Sequence, residues 1–255
     1  MKLIELKKVS HNFKQKDKCP EVEPNIKEDC LLLEGGEPIG FFIRKPDSKL
    51  LSCAEFCNNE LNSKKVPKSV MARGLGGTGA VEQYSCIIGS IPANAMQRRP
   101  YPSISSVHLK KSAHPFIKGM KQLAKLAEHL VGQVMPEQYQ LQKELIKQNV
   151  KEQFIFSECF TSSISNFNIN ADFHIDKKNI KNTVNVIITK RKNSFGGNLY
   201  VPDYDACFDQ VDGSILVYPA WKSLHAVTKI RPTLVGGYRN SLVFYPLDCF
   251  GDKND

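Results

Sequence analysis

The chain has 255 residues, 41% of them hydrophobic and 24% charged, a composition typical of a globular protein that buries a sizeable core. It contains no apolar run long enough to span a membrane, and residues 1–5 do not resemble a secretory signal, so we expect no membrane association. The formal net charge of +9 favours a polyanionic partner such as nucleic acid, although ordinary solubility explains that charge equally well.

The cysteines contain no CxxC pair. Cys53 and Cys57 could bind zinc from one face of a helix, but no second pair of ligands stands nearby. Reduced and mostly buried thiols are the preferred interpretation. They indicate an intracellular, reducing compartment, which is the nucleus if the source is eukaryotic and the cytoplasm if it is bacterial or viral.

The amino-terminal part of the chain predicts an arm, a hairpin and a helix. Residues 1–29 carry mixed charges and two prolines, which predicts an arm that lies over the surface. Two apolar segments, residues 30–34 and 39–44, flank Gly35-Gly36 and predict a β-hairpin. Apolar residues then recur at helical spacing and predict a short helix. These residues are Leu50, Ala54, Cys57 and Leu61.

Two segments between residues 73 and 115 have the composition of loops. Residues 73–79 are rich in glycine but lack the spacing of a phosphate-binding loop, so a flexible turn is the preferred interpretation. Residues 92–115 combine prolines with basic residues, and they could hold a nucleic-acid backbone or form an irregular loop packed on the protein. The candidate backbone contacts are Arg98, Arg99, Lys110 and Lys111.

The rest of the chain predicts helices followed by strands. Residues 115–134 and a segment beginning at Pro136 have apolar stripes at helical spacing, which suit packing against the outer face of a sheet. From residue 152, short apolar segments separated by turn signals predict a sandwich or barrel. The predicted strands span residues 154–163, 184–189, 198–202, 214–218, 225–230 and 241–245.

A candidate metal site lies within this β-rich part. His174 and Asp176 are two residues apart, so on a strand or at its end they project to the same face. With His225 they give two imidazoles and one carboxylate, the ligand set of non-haem Fe(II) oxygenases. An isolated histidine is more often an ordinary side chain than a ligand. The order of features is harder to obtain by chance: His-x-Asp, a Gly-Gly strand, an Asp-Gly strand, His225, and Gly-x-Arg-x-Ser at residues 237–241.

Over roughly residues 170–247, this order resembles the Fe(II)/2-oxoglutarate-dependent dioxygenases. The resemblance implies an α+β fold with a double-stranded β-helix (jelly-roll) core, and Fe(II), 2-oxoglutarate and O2 as cofactors. It implies that His174, Asp176 and His225 bind iron. It also implies that Arg239 pairs with the distal carboxylate of 2-oxoglutarate, beside the Ser241 hydroxyl. A guanidinium fork matches a carboxylate in two parallel hydrogen bonds.

Two local patterns are similar to the TET/JBP-like branch, which oxidises the 5-methyl group of pyrimidines in nucleic acid. Asn179, three residues after the Asp of the His-x-Asp motif, corresponds to that branch's contact with the target base. Tyr245, six residues after Arg239, corresponds to its aromatic stacking platform. One position departs from the branch, because Leu247 stands where a histidine that reads the base is often found. This departure favours thymine or a different substrate over 5-methylcytosine.

The resemblance therefore predicts one catalytic domain over residues 1–255, with an arm, a hairpin and supporting helices in residues 1–151 and the β-helix core in residues 152–250. DNA is the expected partner, with RNA as an alternative. The expected reaction converts the 5-methyl group of 5-methylcytosine or thymine to 5-hydroxymethyl or a more oxidised form. Two alternatives stay open: an oxygenase that hydroxylates a protein side chain or small molecule, and a non-catalytic basic jelly roll that binds nucleic acid. The sequence predicts no oligomeric state.

Overall fold

The computed structural model describes residues 1–63, 65–73 and 82–251, and these residues form sixteen strands and three α-helices. In chain order the strands are β1 Lys2–Glu5, β2 Cys30–Glu34, β3 Glu37–Ile43, β4 Ala72–Arg73, β5 Tyr84–Ile91, β6 Ser103–Ile104, β7 Ser162–Phe167, β8 Ala171–His174, β9 Asn185–Lys192, β10 Ser194–Phe195, β11 Leu199–Val201, β12 Ala206–Cys207, β13 Ile215–Tyr218, β14 His225–Val227, β15 Arg231–Pro232 and β16 Tyr238–Tyr245. The helices are α1 Ser48–Asn62, α2 His114–Val134 and α3 Pro136–Asn149.

Two facing sheets form the body of the protein. The major sheet has ten strands in the order β1-β2-β3-β13-β9-β16-β7-β5-β4, with β6 paired to β5. The minor sheet has four strands in the order β12-β11-β14-β8, and β10 pairs separately with β15. One cavity is lined by side chains from both the major and the minor sheet, so the two sheets face each other across it. This is the jelly-roll arrangement that the sequence predicts.

The main core lies between the major sheet and the helices. Because side chains alternate along a strand, Val186 and Ile188 of β9 face the helices, whereas Ile187 faces the interior between the sheets. Apolar residues of α1 and α2 cover the outer face of the sheet. Burial of this kind stabilises the fold by about 25 cal/mol for each Å2 of apolar surface. The helices thus fix the outside of the sheet and leave its inner face for a site.

The three predicted helices are confirmed. Helix α1 begins where the Asp47 carboxylate accepts hydrogen bonds from the backbone N–H groups of Lys49 and Leu50, at 2.9 and 3.0 Å. Helices α2 and α3 each carry a proline in the first turn, where its missing N–H leaves no helical hydrogen bond unmade. The predicted hairpin is also confirmed, since β2 and β3 pair around Gly35-Gly36.

The predicted strand over residues 154–163 is wrong. Residues 152–154 form a 3-10 turn, and the strand β7 begins only at Ser162. Between them the chain folds back, because the N–H groups of Phe156 and Ser157 both donate to the carbonyl oxygen of Phe160, at 2.9 and 3.0 Å. The aromatic residues of this segment pack into the core from a loop, and their apolar character imitates a strand.

Strands β1 and β5 lie outside the sequence predictions. The predicted arm contains β1, which pairs in parallel with β2 at one edge of the major sheet. Strand β5 pairs with β7 over six residue pairs, so the major sheet draws strands from both sides of residue 151. Of the glycine-rich stretch 73–79, residues 74–79 lie outside the described residues. Across the described residues, no helix combines the length and the hydropathy that crossing a bilayer requires.

Candidate active site

A cavity of about 570 Å3 opens between the two sheets. A larger surface groove lies between α2 and α3, but its lining carries no group of metal-ligating side chains. Within the described residues, the cavity between the sheets holds the only such group, His174, Asp176 and His225. We therefore treat this cavity as the candidate active site.

Strand pairing brings the three candidate metal ligands together. His174 ends β8 and His225 begins β14, and the two are direct partners in the antiparallel pair. Their imidazole centroids are 4.3 Å apart. Asp176 follows β8 by two residues, and its Oδ1 lies 3.7 Å from Nε2 of His174. One potential ligand atom from each of the three residues lies within 4.8 Å of the other two.

Backbone carbonyls fix the tautomers of both histidines. Nδ1 of His174 lies 2.8 Å from the carbonyl oxygen of Asp172, and Nδ1 of His225 lies 3.0 Å from that of Ser223. Because a carbonyl oxygen only accepts, each Nδ1 carries a proton, and in this tautomer the Nε2 atom is the one with a lone pair for a metal ion. Burial, reinforced by the neighbouring His174, lowers the pKa of His225 to about 4, so its imidazole is neutral at physiological pH.

This donor set fits Fe(II). Two neutral imidazole nitrogens and one carboxylate oxygen hold one side of the ion and leave the other side open for reactants. The three side chains face the cavity, so the open side meets the space in which a substrate can lie.

Arg239 is a buried cation that lines the same cavity. Arg239 is 2% exposed, and its Nε atom is buried without a hydrogen-bond partner among the described residues. Gln210 accepts a long hydrogen bond of 3.3 Å from Nη2, and no carboxylate among the described residues forms an ion pair with this guanidinium. Burial, together with the charge of Arg191, lowers the pKa of Arg239 to about 9. A buried cation without an anion is costly, so the donor set fits a carboxylate ligand such as that of 2-oxoglutarate.

The remaining predicted cavity residues line the same space. Ser241 lies two residues after Arg239 on β16 and therefore shares its face. Tyr245 lies further along the same strand, and burial followed by the charge of Asp176 raises the pKa of its phenol. Asn179 is buried, and its Nδ2 donates to Oδ1 of Asn185 at 2.8 Å. Leu247, at the position that departs from the TET/JBP pattern, adds an apolar wall.

The structure does not place the four basic residues in the cavity. Arg98, Lys110 and Lys111 are exposed on the segment between β5 and α2. Nε of Arg99 donates to the carbonyl oxygen of Pro92 at 2.6 Å, so part of this guanidinium stabilises its own loop. The segment leaves β5 at Ile91, near the end of the sheet that also carries Tyr245.

Three residues that contact the candidate site residues were not predicted as part of the site. Asn185 donates from Nδ2 to Oδ2 of Asp176 at 3.0 Å, and Gln210 contacts Arg239. Gly197 has a φ of +67°, and a Cβ there would lie 2.7 Å from Cδ of Arg239, so only glycine leaves room for that side chain. A polar residue at the start of the apolar strand β9 was the one available signal for Asn185. Gln210 and Gly197 meet Arg239 only through tertiary packing.

The fold and the site together define a class, the Fe(II)- and 2-oxoglutarate-dependent oxygenases. Residues 94–247 match the model of the Tet_JBP family, described as the oxygenase domain of the 2OGFeDO superfamily. Because this match spans more than half of the chain, the protein belongs to that family and is a dioxygenase whose cofactors are Fe(II), 2-oxoglutarate and O2.

One solved structure has the same architecture. NgTET1 in complex with 5mC DNA is similar over 88% of this chain and 78% of its own, with a TM-score of 0.62 and 13% identity, a likeness that shows the fold. Two others overlap less closely. An oxidoreductase of the 2OG-Fe(II) oxygenase family from Burkholderia pseudomallei has a TM-score of 0.44 with 11% identity, over 85% of this chain and 88% of its own. A Pseudomonas putida prolyl-4-hydroxylase has a TM-score of 0.40 with 14% identity, over 82% and 93%. No curated protein sequence matches the chain significantly.

Proposed function

We propose that this dioxygenase oxidises the 5-methyl group of a pyrimidine base, 5-methylcytosine or thymine, in DNA. The observation that carries the proposal is the composition of one cavity. The same space is lined by the His174, Asp176 and His225 cluster, by the amide of Asn179 and by the ring of Tyr245. An amide and an aromatic ring are the groups that hold a base by its edge and its face.

His174, Asp176 and His225 would hold Fe(II), which when bound supplies the activation of O2 for attack on a C–H bond. Arg239 and Ser241 would hold the distal carboxylate of 2-oxoglutarate, and this anion would compensate the buried guanidinium. Asn179 and Tyr245 would orient the base with its methyl group toward the metal cluster. The walls of the cavity, including Leu247, exclude water from the reacting groups.

A base reaches such a recessed site only after it leaves the helical stack. The nucleic-acid backbone must then be held outside the cavity. Arg98, Lys110 and Lys111 are exposed on the segment that leaves the sheet near Tyr245, and we propose them, with the free part of Arg99, as phosphate contacts. The net charge of +9 and the DNA complex of the structurally similar NgTET1 support a polyanionic partner.

The proposal is tested by nucleoside mass spectrometry. The protein is incubated with Fe(II), 2-oxoglutarate and DNA that contains 5-methylcytosine and thymine, with His174→Ala as the matched inactive control. We expect a 5-hydroxymethyl nucleoside that depends on His174, and its identity names the base. Formation of succinate without a modified nucleoside would instead indicate a protein or small-molecule substrate. Full activity in His174→Ala would overturn the assignment of the metal ligands.

A further inference from the structure

Asn185 connects the metal cluster to the proposed base contact. It is the first residue of β9 and is 2% exposed, between Asp176 and Asn179. Its Nδ2 donates to Oδ2 of Asp176 at 3.0 Å, and its Oδ1 accepts from Nδ2 of Asn179 at 2.8 Å. Two buried amides thus form a hydrogen-bonded chain from a carboxylate of the metal cluster to the wall of the cavity.

The two hydrogen bonds of this amide chain can be oriented in only one way. The oxygen and nitrogen of a side-chain amide are nearly alike in shape, so the partners decide which end points where. An ionised carboxylate only accepts, and therefore Asn185 must turn its NH2 group toward Asp176. The oxygen of Asn185 then faces Asn179, which must donate a hydrogen bond to it from its own NH2 group. The oxygen of Asn179 is the end left over.

That oxygen is open to the cavity. Within the described part of the chain no group donates to Oδ1 of Asn179, and the atom is not among the buried side-chain atoms that lack a partner. The side chain itself lines the cavity. We infer that Asn185 is a positioning residue, which locks Asn179 so that its carbonyl oxygen accepts a hydrogen bond from the substrate.

The consequence for the substrate rests on the proposed function. In a pyrimidine, the polar group nearest the 5-methyl carbon is the substituent at C4, an amino group in cytosine and a carbonyl oxygen in thymine. With the methyl group directed at the cluster that contains Asp176, the C4 substituent is the polar group of the base nearest that cluster, and Asn179 is joined to the cluster through Asn185. A fixed carbonyl oxygen binds an amino group and repels another carbonyl oxygen. Asn185 therefore makes the site selective for 5-methylcytosine over thymine.

The test measures binding without turnover. Iron-loaded protein with 2-oxoglutarate is kept free of oxygen, and fluorescence anisotropy gives the dissociation constants of two single-stranded oligonucleotides. They differ only in a central 5-methylcytosine or thymine, so base pairing does not contribute. We expect the wild type to prefer 5-methylcytosine by about 10- to 100-fold, the range that one unpaired buried polar group produces.

Asn185→Ala should reduce this preference to about twofold or less, because the amide of Asn179 is then free to turn. Asn59→Ala, at an exposed asparagine of α1, is the control and should keep the wild-type preference. The double variant Asn185→Ala with Asn179→Asp should regain it, because a carboxylate presents an oxygen in either orientation. A merely structural role of Asn185 would not be rescued in this way.

Loss of the hydrogen bond to Asp176 should also weaken iron binding by Asn185→Ala about 10-fold, so binding is measured at saturating iron. If this variant does not fold, Asn185→Val removes the same hydrogen bonds while suiting a strand. A wild type without preference for 5-methylcytosine, or an Asn185 variant that keeps the preference, would overturn the inference. Failure of the proposed function looks different, since the wild type would then yield no modified nucleoside from DNA containing either base.

Discussion

At the scale of single residues, the cavity contains a cation that the protein does not neutralise. Among the described residues, the guanidinium of Arg239 has only the 3.3 Å hydrogen bond from Nη2 to Gln210, and its Nε has no partner. The neighbouring charge of Arg191 adds repulsion to the cost of burial, and both lower the pKa of Arg239. The side chain stays protonated near pH 7, so the folded protein carries this cost until an anion binds. If Arg239 binds the carboxylate of 2-oxoglutarate as proposed, this cost in stability is recovered as affinity for that ligand.

Without ligand, we therefore expect the free energy of unfolding of Arg239→Met to equal that of the wild type or to exceed it by up to about 3 kcal/mol. The same variant should lose the rise in thermal midpoint that 2-oxoglutarate gives the iron-loaded wild type. Thermal melts with and without 2-oxoglutarate measure both effects. Arg231→Met, at an arginine paired with Glu21 away from the cavity, should keep the full ligand-induced rise. An equal rise in Arg239→Met would move the anion site elsewhere.

At the scale of elements, the turn between β10 and β11 determines where that arginine lies. Gly197 sits in this turn with a φ of +67°, and a Cβ there would lie 2.7 Å from Cδ of Arg239 and 2.8 Å from Cγ1 of Ile230. Gly36, in the hairpin between β2 and β3, has a φ of +84°, and a Cβ added there would meet nothing within 4 Å. The two glycines therefore share a backbone requirement but differ in what surrounds them.

Gly197→Ala should lower the free energy of unfolding by about 1–3 kcal/mol and weaken 2-oxoglutarate binding, because the new methyl group displaces Arg239. Gly36→Ala carries a similar backbone penalty without the collision, and should leave the affinity for 2-oxoglutarate unchanged. Urea unfolding and isothermal calorimetry of the iron-loaded proteins separate the two effects. Equal affinities in all three proteins would show that the turn does not position the arginine.

A second element, the 3-10 turn Ser106–Leu109, is attached to β5 through a neutral histidine. Nε2 of His108 accepts the backbone N–H of Gly89 at 2.9 Å. Burial, followed by the charges of Lys121 and His114, lowers the pKa of His108 below its usual 6.5. Below about pH 6.5 the unfolded chain therefore binds a proton that the folded protein does not, and stability falls as the pH drops toward the lower folded-state pKa.

His108→Gln keeps a hydrogen-bond acceptor but does not titrate. We expect its free energy of unfolding to fall less than that of the wild type between about pH 8 and about pH 5. Urea unfolding at the two pH values gives the comparison, and the difference between the two proteins isolates His108 from other titrating groups. If both proteins lose the same stability, His108 is not the group responsible.

Local patterns explain what the sequence predicted at this scale. Helices α1, α2 and α3 repeat apolar residues within one or two turns, and the motif that contains His174 and Asp176 lies within three residues. Whether a short apolar segment becomes a strand, as β5 does, or a loop, as residues 155–161 do, depends on pairing with distant segments. A single sequence does not show that pairing. Gly197 was missed for the same reason, since its contact with Arg239 joins distant parts of the chain. Asn185 is nine residues from Asp176, and the hydrogen bond between them depends on how the chain folds back between β8 and β9.

At the scale of the whole molecule, positive charge is distributed over many separate lysines and arginines rather than one block. Under the proposed function, only basic residues near the opening of the cavity can hold a backbone while a base enters the site. The segment that follows β5 carries Arg98, Lys110 and Lys111. Lys2 lies on β1, at the opposite edge of the major sheet. Two basic surfaces, one on the segment after β5 and one at the edge that contains β1, can therefore be compared by removing the same number of positive charges from each.

Each phosphate contact contributes about 0.9 to the slope of log affinity against log salt concentration for duplex DNA. Replacing Arg98, Lys110 and Lys111 with glutamine should therefore make this slope shallower by up to about 3, and weaken binding whatever the base. The charge-matched control replaces Lys2, Lys27 and Lys45, which are exposed and lie on or beside β1, β2 and β3. Titrations between about 50 and 200 mM salt should leave the control slope near that of the wild type, because its lysines lie at the far edge of the sheet. Equal losses in both triple variants would mean that net charge, and not this segment, attracts the nucleic acid.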